Sequence, residues 1–174
     1  MKKKMIIIAI LLVFSITSFA QTEKGEFLLG GKVDFDRTTQ LGYKATSFSF
    51  APEIGYFIAK NLAVGIGLDY ERSNFSSQKA ITIAAMPFAR YYFAEQGKFK
   101  FFGQAGAGYA FRKMKGSTYR NRDYSYSSNK FTYKAGLGAS YFLTKNIALE
   151  GMLQYDNINY GKSLGVSFGL QIHF

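Results

Sequence analysis

From Glu26 onward the chain alternates. Phe27, Leu29, Gly31, Val33 and Phe35 share one face of an extended segment, and Glu26, Leu28, Gly30, Lys32 and Asp34 share the other. A period of two is the mark of a strand with one apolar face. The next run sets Phe48, Phe50, Pro52, Ile54, Tyr56 and Ile58 against Glu53 and Gly55. Leu62, Val64, Ile66, Leu68 and Tyr70 then oppose Ala63, Gly65, Gly67, Asp69 and Glu71. Five further runs follow: Ile81–Phe93, Phe99–Phe111, Phe131–Tyr141, Ile147–Asp156 and Leu164–Phe174. No segment after Gln21 holds a helical period. The pattern predicts eight strands of about 9 to 13 residues each.

The two faces decide what surrounds the strands. A soluble barrel turns its apolar face inward. Eight strands enclose only enough room for side chains, and these apolar faces are too bulky and uniform to fit. Inverting the barrel solves the problem. The apolar face then meets lipid, and the glycine-plus-charge face fills the interior, as in a transmembrane barrel.

The connections support the same reading. YFIAKN (Tyr56–Asn61) returns as YFLTKN (Tyr141–Asn146), with the looser YYFAEQGK (Tyr91–Lys98) between them. These are expected to be short periplasmic turns, with Tyr56, Tyr91, Phe93 and Tyr141 at the bilayer interface. The longer segments Arg37–Ala45, Ser73–Ala80, Lys113–Asn129 and Asn157–Lys162 are expected to be outer loops.

The first residues read as an export signal. Met1-Lys2-Lys3-Lys4 is basic, Met5–Phe14 is unbroken and apolar, and Ser18-Phe19-Ala20 offers a cleavage site. The apolar run is too short to span a bilayer, which takes roughly 20 residues. Residues 1–20 are therefore expected to be a cleaved signal peptide, and residues 21–174 the barrel.

On these features the chain resembles the small eight-stranded outer-membrane barrels of the OmpA/OmpX type, especially the barrel-only members common in Bacteroidetes-like bacteria. The most specific element is the last strand, VSFGLQIHF, which alternates Val166, Phe168, Leu170 and Ile172 and closes on Phe174. The resemblance implies that Phe174 is the assembly signal read by the barrel-assembly machinery. It implies residence in a Gram-negative outer membrane, among outer-membrane lipid and lipopolysaccharide, and a monomeric barrel. No residue follows Phe174, so the peptidoglycan-binding domain of some relatives is expected to be missing. The family includes structural, adhesion and serum-resistance proteins and a few lipid-modifying enzymes.

Composition narrows the chemistry. There is no cysteine, and the 18 Phe, 13 Tyr and 18 Gly against 2 Pro favour strands. Loss of three leader lysines from 22 basic residues leaves 19 against 11 acidic, a net of +8. Export argues against nucleic acid as the partner of that charge. No catalytic set, cofactor or metal site is expected. The single histidine, His173, lies at the periplasmic end, whereas lipid-modifying relatives act near the outer rim. Gly103-Gln-Ala-Gly106-Ala-Gly108 lies inside a strand with no helix after it, unlike a phosphate-binding loop.

Eleven charges share the inner parity: Lys32, Asp34, Glu53, Asp69, Glu71, Arg90, Lys100, Arg112, Lys134, Glu150 and Asp156. Five basic and six acidic side chains are expected to pair as a salt-bridged plug. The alternative is a narrow path for ions or small solutes, porin-like, lined by the same residues. The outer loops are basic, and the third carries Lys113, Lys115, Tyr119, Arg120, Arg122 and Tyr124. Those six form the expected outer-loop binding set, for lipopolysaccharide phosphate or a host or cell-surface ligand. The expected role is structural or surface-interaction, and not enzymatic. A soluble lipocalin-like carrier is the third reading, which extraction by carbonate would distinguish.

Overall fold

The computed structural model describes residues 22–40, 43–75, 78–117, 123–158 and 162–174. The expected leader and its cleavage site lie outside the described residues, as do Tyr119, Arg120 and Arg122. Eight antiparallel strands form one closed barrel in chain order. They are β1 (Phe27–Gln40), β2 (Tyr43–Ala59), β3 (Leu62–Phe75), β4 (Gln78–Gln96), β5 (Phe99–Ser117), β6 (Asp123–Phe142), β7 (Ile147–Asp156) and β8 (Ser163–His173).

Closure is made by β8 returning to β1, where Leu28 faces His173 and Lys32 faces Gly169. Phe27 and Phe174 exchange backbone hydrogen bonds of 2.6 and 3.0 Å at the base of that seam. The seam is paired over Leu28–Lys32 and Gly169–His173, so at that level the sheet has no free edge, which hydrocarbon demands.

The register gives the stagger. One row of partners runs Leu28, Gly55, Gly65, Phe88, Gly106, Lys134, Asp156, Ser163. Yet Leu28 pairs across the seam with His173, ten residues beyond Ser163. Such a shear tilts eight strands by roughly 35–45°. That tilt narrows the interior to a space that side chains fill.

The same row shows how the interior is shaped. Phe88 points inward, and the glycines beside it make room. A Cβ on Gly65 would collide with the Ile54 carbonyl oxygen and lie 2.7 Å from Phe88 Cζ. Gly67 is different, because a Cβ there would meet nothing closer than 3.8 Å.

The outer face is apolar as expected. Leu29, Phe50, Ile54, Ile66, Leu68, Ile83, Leu137, Leu149, Leu153 and Phe168 all face outward and are exposed. Tyr56, Tyr91, Phe93 and Tyr141 are exposed on the same face near the short turns.

The repeated turns have a structural reason. Asn61 takes the left-handed backbone conformation, with φ 65°, that a tight turn requires and asparagine tolerates. Its carbonyl accepts from Tyr92 N at 2.9 Å, and the Asn146 carbonyl accepts from His173 N at 2.8 Å. Each turn asparagine thus extends the ladder to the next strand.

The strands run longer than the hydrophobic pattern indicated, from 10 residues in β7 to 20 in β6. Most of the expected first three loops is paired strand: β1 reaches Gln40, β3 reaches Phe75, and β5 and β6 pair as far as Ser117 and Asp123. Lys113, Lys115 and Tyr124 therefore sit on strands and not in a loop. At about 3.3 Å per residue and such a tilt, a strand of about 19 residues rises roughly 45 Å, against an apolar band of about 25 Å. Beyond the membrane the sheet needs no lipid-facing hydrophobes, so the alternation fades while the pairing continues.

Leu68→Arg, at a position 47% exposed on the lipid side, is expected to cost about 2–4 kcal/mol near mid-bilayer. Gly67→Ser is expected to be mild and Gly65→Ala severe. Urea unfolding in lipid vesicles measures all three. Equal midpoints for Leu68→Arg and Gly67→Ser would mean that the faces are assigned the wrong way round.

Candidate functional site

The lumen is organised around Arg90. It lies on β4, whose residues alternate strictly between outside and inside from Ile81 to Tyr92. Its neighbours in register are Ala63 on β3 and Gln104 on β5. The small alanine leaves space beside the guanidinium, and Gln104 supplies an acceptor. Arg90 is fully buried and extends across the barrel toward strands on the other side.

Every nitrogen of that guanidinium has an acceptor. Nε donates to Gln104 Oε1 at 2.7 Å. Nη1 donates to Glu150 Oε2 at 2.8 Å and Tyr92 OH at 3.3 Å. Nη2 donates to Glu53 Oε1 at 2.6 Å and also reaches Gln104 Oε1. The Phe102 ring lies 4.3 Å from the guanidinium carbon, a cation–π contact.

The carboxylates are placed by their neighbours. Glu53 stands between Gly30 on β1 and Gly67 on β3, and Glu150 stands beside Gly169 on β8. A Cβ on Gly30 would lie 3.3 Å from Glu53 Cγ and Oε1, and one on Gly169 would lie 2.9 Å from Lys32 Cγ, so these two glycines make room for the cluster. Gln104 and Gln171 donate to Glu53 at 3.2 Å each. Lys32 lies 3.4 Å from Glu150. Two cations and two anions give a neutral cluster, which buried charge requires.

Below the cluster, toward the short turns, the interior is aromatic. Leu28, Phe57, Tyr92, Phe102 and Met152 are buried together. His173 is buried among Phe57, Tyr92 and Phe142, with ring centroids 5.7, 6.3 and 5.3 Å away. Its Nε2 lies 3.3 Å from Gln171 Oε1, which also accepts from Tyr92 OH. At the lower rim, burial pushes the Glu26 carboxyl above the usual carboxylate range, partly offset by a hydrogen bond from Glu23 N.

Above the cluster, Lys134 of β6 reaches Asp69 of β3 at 2.6 Å. A cavity of about 30 Å³ separates the two tiers, room for about one water. A second cavity of about 130 Å³ lies beyond, lined by Asp69, Glu71, Lys134, Asp156 and Ser163 among others. Ile158 folds over this end against Ala84, Met86 and Ala110. Asn157 ties that segment to β6, accepting from Tyr133 N at 2.8 Å and Thr132 Oγ1 at 3.0 Å.

Of the eleven inner charges, Lys32, Glu53, Arg90 and Glu150 converge at the centre and Lys134 pairs with Asp69. Lys100 turns to the lower rim, 3.0 Å from Thr22 Oγ1 and 3.2 Å from Glu95. Glu71 accepts from Ser73 and Asp156 from Ser163. Arg112 lies higher, on β5, away from the central cluster. The side chain of Asp34 lies outside the described residues. Sequence reasoning did not single out Gln104, Gln171, Tyr92 or the aromatic floor, although all of them have inner parity. Nor was Ile158 singled out; its one signal is an apolar side chain within the expected outer loop Asn157–Lys162.

Lys113 and Lys115 are exposed on the outward face of β5, and Tyr124 is exposed on β6. No group of three or more histidine, cysteine, aspartate or glutamate residues able to hold a metal occurs among the described residues. Phe174 stacks on Phe27 at 5.9 Å at the β1–β8 seam.

Arg90→Met would leave Glu53 and Glu150 buried without their shared partner. It is expected to destabilise the barrel by about 3–5 kcal/mol, read as a lower urea midpoint in vesicles. Adding Glu53→Gln and Glu150→Gln should recover part of the loss. An unchanged midpoint for Arg90→Met would contradict the pairing.

Residues 6–174 match the family described as outer membrane protein beta-barrel domain. No curated protein matches the chain. Solved structures of similar fold include a major outer membrane protein from Thermus thermophilus, at 13% identity and a TM-score of 0.60, covering 87% of this chain and 100% of that one. The attachment invasion locus protein Ail of Yersinia pestis matches at 18% identity and a TM-score of 0.59, covering 87% and 99%. Neisserial surface protein A matches at 24% identity and a TM-score of 0.55, covering 87% and 98%. With its closed eight-stranded barrel, lipid-facing apolar wall and family match over nearly its whole length, this chain belongs to the outer-membrane β-barrel family and resides in the cell outer membrane.

Proposed function

We propose that the protein is a non-enzymatic barrel with a structural and surface-interaction role, its lumen plugged and its outer hairpins presenting a basic, tyrosine-rich surface. The observation that carries this reading is Arg90, 0% exposed and held across the lumen by Glu53 and Glu150. Beneath it Phe57, Tyr92, Phe102 and Phe142 are buried, and above it Lys134–Asp69 and Ile158 add further layers. A hydrated ion would have to displace paired charges and then pass packed rings. With solute passage closed, the remaining functional surface is the outer one.

That surface is cationic, which favours polyanions such as lipopolysaccharide phosphate or sulfated sugars on another cell. Ail, a barrel of the same fold, is known in complex with the heparin analogue sucrose octasulfate. The likeness is one of fold, so the reading rests on this chain's own lysines and arginines. Arg120 and Arg122 are proposed to take part with Lys113 and Lys115. The sheet closes on itself through the β1–β8 seam at Leu28–Lys32, which supports a monomer.

A narrow channel is the second reading, favoured by the mainly polar cavity of about 130 Å³ and the smaller one of about 30 Å³, where Lys32, Glu53, Asp69 and Lys134 meet apolar side chains. Planar-bilayer recording separates them. The plugged barrel should show no stepwise conductance above background, whereas Arg90→Ala together with Tyr92→Ala should admit brief openings. Steady conductance by the wild type would overturn the plug.

Assembly is proposed to proceed through the barrel-assembly machinery reading Phe174 at the seam. Deleting Phe174 should lower heat-modifiable barrel in the outer membrane. Normal levels would contradict that role.

A further inference from the structure

The outward wall of the β4–β5 extension carries a feature that a plugged structural barrel does not need. Lys79 of β4 and Lys115 of β5 are direct cross-strand partners. Both are exposed, so they share one face with Cβ atoms about 5 Å apart. Like charges placed so are destabilising. Lys113 follows two positions down β5, opposite Ile81, and Arg72 of β3 faces Ile81 from the other side. All four cations point outward. Their other lateral neighbours on this face are Phe48, Asn74, Ser125 and Ser127. Among the described side chains no carboxylate shares the patch, and no ion pair engages any of the four cations.

Directly below, the same face turns apolar. Ile83 faces Phe111, and Tyr109 meets Phe131 edge-on at 5.9 Å. These exposed rings mark the outer interface of the membrane. Lys113 and Lys115 lie two and four positions beyond Phe111, about 7 and 13 Å along the strand. An open groove of about 460 Å³ joins the two zones, with Ile81, Ile83 and Phe111 as its apolar wall and Lys113, Ser127 and Asn129 above. The short serines opposite the lysines leave that groove uncovered.

We propose that this wall is a binding site for a phosphorylated glycolipid of the outer leaflet, the lipid A portion of lipopolysaccharide. It rests on the surface-interaction reading above and relocates its ligand from the loop tips to the side of the barrel. The phosphates sit against the Lys79–Lys115 rung and Lys113, relieving the repulsion between like charges. An acyl chain lies down the groove over Ile83 and Phe111. Neither half suffices: the lysines alone bind anions weakly in water, and the apolar groove alone does not distinguish one lipid from another.

The test uses the full barrel in detergent micelles, with bound lipid counted by native mass spectrometry. The probes are bisphosphorylated lipid A, the same lipid with its phosphates removed, and inorganic pyrophosphate. Wild type should retain bisphosphorylated lipid A best. Lys79→Gln/Lys113→Gln/Lys115→Gln should weaken it roughly tenfold at low salt, with unchanged heat-modifiability. Ile83→Ser/Phe111→Ser should also weaken it. Equal binding by wild type and the triple lysine variant would overturn the site, as would equal retention of the dephosphorylated lipid. Equal competition by pyrophosphate would also overturn it, reducing the patch to surface charge. Arg120→Gln/Arg122→Gln, assayed with a soluble sulfated sugar, tests the broader reading separately. If that variant loses the sugar while the triple lysine variant keeps lipid A, only the wall site fails. If wild type binds neither probe, both fail.

Discussion

A cylinder of eight strands has an interior that only side chains can fill, and each charge placed there must be answered by another side chain. Arg90 is that answer in this protein. Its guanidinium offers five N–H donors in a fixed fork, and two carboxylates, a glutamine and a tyrosine accept them. Lys32 balances the remaining charge. Contacts of this kind are weak evidence for net stability, because desolvation offsets much of the attraction. Their effect is positional: Glu53 from β2 and Glu150 from β7 are tied to one group from β4, so three separate strands are held in one register.

The backbone makes this meeting possible. The ten-residue stagger raises each strand against the last, so residues distant in the chain come level inside. Gly30 opens the wall beside Glu53, and Gly169 opens it beside Lys32. The turn asparagines hold Tyr92 and His173 in the ladder, and those two rings help to form the floor on which the cluster rests. The YFIAKN and YFLTKN repeat is thus architectural. It closes short turns and places an inward ring on the neighbouring strand.

Parity was legible in the chain, and it separated lipid-facing Leu68 from lumen-facing Asp69 without any contact information. Partners were not legible. Arg90 and Glu150 are 60 residues apart, and only the stagger brings them together. Phe57 and Phe102 have inner parity, but their neighbours Tyr56, Ile58 and Phe101 are equally apolar, so aromatic content near the turns hid which rings faced inward. Strand ends were read too short because the hydrophobic pattern records the membrane and hydrogen bonding does not stop there. Lys113 and Lys115 consequently passed for loop residues, although they stand on the wall of β5. The reading of Tyr119, Arg120 and Arg122, like that of the leader, concerns residues outside those described.

In the proposed function a closed centre and a charged outer wall divide the molecule by height: the lower half would anchor and seal, and the upper half would meet the outer leaflet. Both depend on Arg90 holding the centre in bilayer as well as in isolation. Solid-state NMR dipolar recoupling on the barrel in lipid bilayers, with ¹⁵N-labelled Arg90 and ¹³C-labelled glutamate carboxyls, measures that directly. The account predicts couplings from the guanidinium to the carboxyl carbons of both Glu53 and Glu150, at about 3.5–4 Å, as direct charge-assisted hydrogen bonds require. Absence of both couplings, with the guanidinium protons exchanging freely with water, would contradict it.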